Sequence, residues 1–144
     1  MRASAIVAQD AMHKFMRINQ HCTAYLDTHM QLASAANLTK EDVAIGISYS
    51  GQTMDIVDAL KLAKTTGATT ICITRFGRST ITEFSDIKLF VASNEALFRS
   101  GAMASRIAQL NVIDILFSAV ACKKYQDVVR YLENTSEAVA QRKY

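Results

Sequence analysis

The chain has 144 residues, enough for one domain and short for two. Hydrophobic residues make up 50% and charged residues 20%, which excludes a disordered, collagen-like or mucin-like chain. The net charge of +3 is too small for nucleic-acid binding by electrostatics alone, and three widely spaced cysteines, Cys22, Cys72 and Cys122, exclude a disulfide framework.

In chain order, residues 4–19 carry Ile6, Val7, Met12, Phe15, Met16 and Ile18 at helical spacing and predict a helix, with Ser4 as a candidate cap. Cys22 to Asp27 reads as a short strand, and residues 29–36 as a helix. Val43 to Ser48 is a near-continuous apolar run, the pattern of a strand buried on both faces. A helix over 52–66 follows, with Gly67 placed to end it. Thr69 to Thr74 and Ile87 to Ala92 read as two further buried strands, with a short helix at 79–84 between them. Residues 102–121 form a long apolar helix, and 123–142 a more polar one. The apolar helix contains Gln109, Asn111 and Asp114, so it is expected in the core or against a second subunit, not in a membrane. The start of the chain lacks the long apolar core of a signal peptide, so a cytoplasmic location is expected. Alternating strands and helices predict an α/β three-layer sandwich with a mostly parallel sheet. Ligands in such folds bind at the carboxyl ends of the strands.

At that end, after Ile47, comes Ser48-Tyr49-Ser50-Gly51-Gln52-Thr53, directly before a helix. Helix N-termini carry unpaired N–H groups and a partial positive charge. Gly51 lets a ligand approach the backbone, and Ser48, Ser50 and Thr53 are hydroxyl donors. The segment is a candidate phosphate cradle without a lysine, suited to a phosphomonoester on a small molecule. It lacks the G-x-x-x-x-G-K-[ST] pattern of nucleoside triphosphate loops. The plainer alternative is an ordinary cap, with Ser50 capping the helix and the other hydroxyls solvated.

The segment resembles the S-x-S-G-x-T signature of sugar isomerase (SIS) domains, a flavodoxin-like fold. Ala3 to Asp10 with Lys14-Phe15 resembles the first phosphate loop and helix of that domain. Glu95, with the run from Phe98 to Leu116, resembles a narrower group, the ligand-binding domain of RpiR-type bacterial transcription regulators. The resemblance implies a single SIS domain over 1–144. It implies that Ser48, Ser50 and Thr53 hold a sugar phosphate, with Gly51 and Gln52 beside them, and that Ser4 and Glu95 complete the site. It implies a sensor controlling carbohydrate metabolism genes, without catalytic residues or cofactor; a phosphosugar isomerase is the alternative. It also implies a homodimer or higher oligomer, with DNA bound only through a helix-turn-helix segment that this sequence does not show. Arg2 stands where the family usually has a glycine, and the first strand expected before Ser4 is missing. Its loss is expected to leave four strands and a gap.

Asp27 and His29 are expected near the binding end, where His29 is a candidate for a sugar hydroxyl or, more simply, a solvent-facing residue at a helix start. Arg75 and Arg78 are candidate phosphate partners, with solvated loop arginines the simpler reading. Arg99 and Arg106 are candidate partners for Glu95 or for another subunit. No metal cluster is expected from His13, His21 and His29.

Overall fold

The structure, a computed structural model, describes residues 3–92 and 103–142. In chain order the elements are α1 (Ala3–Arg17), α2 (Thr28–Ala36), β1 (Val43–Ile47), α3 (Met54–Thr65), β2 (Thr69–Arg75), α4 (Thr80–Glu83), β3 (Ile87–Val91), α5 (Met103–Lys123) and α6 (Tyr125–Ala140). The three strands are parallel in the order β1-β2-β3, with Ile47 beside Ile73 and Ile73 beside Leu89. Helices α2, α3 and α4 lie on one face, and α1 and α5, with α6 behind them, on the other. The three-layer α/β sandwich with a parallel sheet is therefore present.

Alternation along the strands sorts the two cores. Ile47, Ile73 and Val91 point toward α1 and α5, where they join Val7, Ala11, Phe15 and Ile113. Cys72 points the other way and packs with Val57 and Leu60 of α3 and Ile81 of α4. The first cluster thus gathers at the carboxyl ends of the strands, directly beneath the serine loop, and Tyr49 packs against it. Phe15 and Phe117 meet edge-on at 5.8 Å, and Lys14 bridges Asp10 on its own helix to Asp114 on α5. These contacts tie α1 to α5.

Several expectations are corrected. Residues 22–27 form no strand: Cys22 and Ala24 are half-buried, Tyr25 and Leu26 are exposed, and Asp27 caps α2 by accepting from the Met30 N–H at 3.1 Å. Among the described residues no strand bonds to the segment, so its composition alone does not make it one. The sheet among the described residues therefore has three strands in unbroken order, not four with a gap. Nor are all three strands buried on both faces. Val43 is 55% exposed and Ile87 46%, and both lie on the edge strands of the described sheet, whereas β2, between them, is enclosed from Thr70 to Thr74. Ser4 lies inside the first turn of α1 and does not precede the helix as a cap. Helix α5 is less buried than its composition predicts: Ser105, Gln109 and Ile113 are enclosed, while Met103, Ile107 and Ile115 are more than half exposed. Its length and apolarity match those of a membrane-crossing helix, yet it packs on α1, β3 and β2.

Candidate phosphate-binding site

The serine loop continues β1 past its last paired residue. The Ser48 N–H donates to the Ile73 carbonyl at 3.1 Å, and the Arg75 N–H donates to the Tyr49 carbonyl at 3.1 Å. The Thr74 hydroxyl adds a second bond to the Tyr49 carbonyl at 3.2 Å. The ladder bonds continue as far as the Tyr49 carbonyl, and the chain bends over Tyr49 to Gly51.

Gly51 has φ 68, the left-handed region that glycine enters without steric cost. Its N–H donates to both the carbonyl and the hydroxyl of Ser48, at 3.1 and 3.2 Å. Its carbonyl accepts from the Ile81 N–H at 3.0 Å. A methyl group at Gly51 would lie 2.1 Å from Ser79 Oγ and 3.0 Å from Thr74 Oγ1. The turn is therefore seated on the start of α4.

The hydroxyls divide the work. Ser48 is 3% exposed, and its Oγ lies 2.9 Å from Thr53 Oγ1. Ser50 is exposed, and its Oγ accepts from the Gln52 N–H at 3.2 Å. The N-cap of α3 is Thr53, not Ser50, and no side chain caps the helix, because the Thr53 hydroxyl is bonded to Ser48. The plain capping alternative thus fails for Ser50. An uncapped helix start with its partial positive charge is left beside a row of hydroxyls, at the carboxyl end of β1. Such an arrangement can receive an anion.

The remaining candidates fall in different places. Helices α2 and α3 pack through Ala35 and Ala63, near their C-termini, so His29, exposed in the first turn of α2, lies toward the same end as the serine loop. Ser4 lies in the first turn of α1, which packs on β1 through other residues. Arg78 is exposed and pairs with Glu83 at 3.4 Å, while Arg75, the last residue of β2, is exposed. Glu95 and Arg99 lie outside the described residues. Among the described residues no group of His, Cys, Asp or Glu is arranged to hold a metal ion.

The sequence reading missed the contribution of 79–81. Ser79 and Ile81 close on Gly51, and the Thr80 hydroxyl donates to Gln52 Oε1 at 2.7 Å. The available signal was positional: these residues follow β2 at its carboxyl end, where ligands of parallel sheets bind.

A model of the SIS domain matches residues 1–119. The chain belongs to the SIS domain family. It is 66% identical over 141 residues to an uncharacterized HTH-type transcriptional regulator of Caldanaerobacter subterraneus subsp. tengcongensis, a match covering 98% of this chain and 50% of the relative. It is 36% identical over 118 residues to the HTH-type transcriptional regulator RpiR of Escherichia coli K12, covering 82% of this chain and 40% of that protein. The SIS chain thus spans about half the length, or less, of these curated relatives. Among solved structures, it superposes on the Vibrio vulnificus NanR protein complexed with ManNAc-6P with a TM-score of 0.88 and 26% identity, covering 98% of this chain and 53% of NanR. The sugar isomerase domain of an RpiR transcription factor from Sphaerobacter thermophilus shares the fold, with a TM-score of 0.80 at 21% identity, covering 95% of this chain and 75% of that one.

Proposed function

We propose that this SIS domain is the phosphosugar-binding sensor of an RpiR-type transcription regulator that controls carbohydrate metabolism genes. The observation that carries the reading is the uncapped start of α3, whose capping hydroxyl is diverted to Ser48. The likeness to NanR, solved with ManNAc-6P, supports a phosphosugar as the ligand class.

The chemistry follows from the hydrogen bonds. Ser48 Oγ already accepts from the Gly51 N–H. When the Ser48 hydroxyl donates to Thr53 Oγ1, the Thr53 proton is free to point at a phosphate oxygen. Ser50 offers a second, exposed hydroxyl, and the turn at Gly51 brings the backbone close. Gln52 adds a side-chain amide. Ser4, in the segment that resembles the first phosphate loop, and Glu95 complete the proposed site. No cofactor or metal is needed for such binding.

Helix α5 supplies the proposed dimer surface. Met103, Ile107 and Ile115 lie on the broad side of α5 away from the buried Ser105, Gln109 and Ile113 and are 52%, 62% and 61% exposed. Burial of that side against a second copy removes apolar surface from water. The sensor then works in the cytoplasm as a homodimer and reaches DNA only through another part of the longer protein. A ligand shifts such a dimer only by binding its two states unequally.

Calorimetric titration with ManNAc-6P, alongside a panel of hexose and pentose phosphates, tests the reading. Saturable binding that requires the phosphate is expected. Equal affinity for phosphorylated and free sugar overturns it. The isomerase alternative is supported by a putative sugar-phosphate isomerase of Listeria monocytogenes, 26% identical with a TM-score of 0.72 and covering 88% of this chain and 70% of that one. Interconversion of an aldose phosphate and a ketose phosphate by the purified chain decides for it.

A further inference from the structure

The segment that opens α4 grips the serine loop at three successive points. Ser79 Oγ sits against the Cα of Gly51, where an added methyl would come within 2.1 Å of it. The Ile81 N–H holds the Gly51 carbonyl at 3.0 Å. The Thr80 hydroxyl donates to Gln52 Oε1 at 2.7 Å. Ile81 is fully buried and Ser79 is 9% exposed, so the grip is anchored in the core between α3 and the sheet.

The third point has a chemical consequence. A glutamine amide presents an acceptor on one side and two donors on the other. Thr80 engages the acceptor, which leaves Nε2, the donor, on the side away from α4. Gln52 is otherwise an exposed side chain next to the turn, and an exposed glutamine loses rotamer freedom when it is fixed. Thr80 removes that freedom before any ligand arrives, which lowers the cost of binding. We propose that Thr80 is a positioning residue of the phosphate site, holding Gln52 so that its amide N–H group is presented to the anion. The inference rests on the phosphosugar reading above and adds to it a residue from outside the serine loop.

A double-mutant cycle read with ManNAc-6P in the full chain tests it. Thr80→Val is expected to weaken binding roughly 3- to 10-fold, the effect of losing one ordinary hydrogen bond. Thr80→Ser, which keeps the hydroxyl, is expected to bind like the parent. Gln52→Ala is expected to match Thr80→Val, and the double variant to be no weaker than Gln52→Ala, because the two residues act as one unit. Gln52→Glu is expected to lose more than Gln52→Ala, since a carboxylate then faces the phosphate. Gln52 is exposed, so its substitutions keep the fold and stand even where Thr80→Val melts early. Parental affinity in Thr80→Val, or full additivity in the double variant, overturns the proposal. A second readout needs no ligand: the Gln52 side-chain NH2 resonances are expected to be dispersed in the parent and to collapse to solvent-exposed positions in Thr80→Val. Unchanged resonances overturn the clasp. Failure of the parent to bind ManNAc-6P, inorganic phosphate or any phosphosugar overturns the functional reading and, with it, the role given to Gln52, while the resonances still decide whether Thr80 orients it.

Discussion

Ser48 Oγ and Thr53 Oγ1 lie 2.9 Å apart across the turn that joins β1 to α3. The bond occupies the one hydroxyl placed to cap α3 and so keeps the helix start open. Breaking it has a distinctive signature. Thr53→Val is expected to weaken phosphosugar binding, whereas Ser48→Ala frees Thr53 to cap the helix and offsets part of the lost stability. Ser50→Ala is expected to weaken binding by roughly 1–2 kcal/mol, the scale of a hydrogen bond to a charged group. Calorimetry on the three variants checks this, and unchanged affinity in Ser50→Ala removes Ser50 from the site.

Gly51→Ala is expected to destabilise the chain by about 2 kcal/mol or more. It combines the left-handed backbone penalty with overpacking against Ser79. Gly77→Ala is the control: Gly77 has φ 119, but nothing lies within 4 Å of the added carbon. Urea unfolding of both variants separates strain from collision. Equal losses show that the Ser79 contact contributes nothing.

Asp86 accepts from the Thr70 N–H and hydroxyl and from the Lys64 ammonium, and the bond from the Thr70 backbone does most to hold its carboxyl down at about 2. The folded value lies below the unfolded one, about 3.9. Its contribution is therefore complete above about pH 4 and is lost as the pH falls toward 2. Carboxyl carbon shifts followed across that range are expected to show the low titration. Asp86→Asn is expected to flatten the acid limb of the melting curve, and an unchanged limb overturns the assignment.

Ile113 is fully enclosed on α5, while Ile107, on the same helix, is 62% exposed. Ile113→Ala is expected to cost roughly 2–5 kcal/mol. Ile107→Asp is expected to leave the intrinsic fold intact and to convert a dimer to monomers in sedimentation experiments. A dimer that survives Ile107→Asp places the subunit contact elsewhere.

Much of this protein was legible in its residues. The helical spacing over 4–19, the apolar runs at 43–48 and 69–74, and Gly67 just past α3 each matched a local element, because spacing and backbone preference act over a few residues. The serine loop was legible for the same reason: its hydroxyls and glycine are contiguous. Three matters were decided only by tertiary structure. Cys22 to Asp27 reads as a strand but pairs with no other strand among the described residues, and a strand exists only when another segment bonds to it. The exposure of Val43 and Ile87 goes with the place of their strands at the edges of the described sheet, which the order of the strands decides. The pairing of Thr80 with Gln52 joins residues 28 apart. No local pattern encodes that contact; packing of α4 against α3 and β2 creates it.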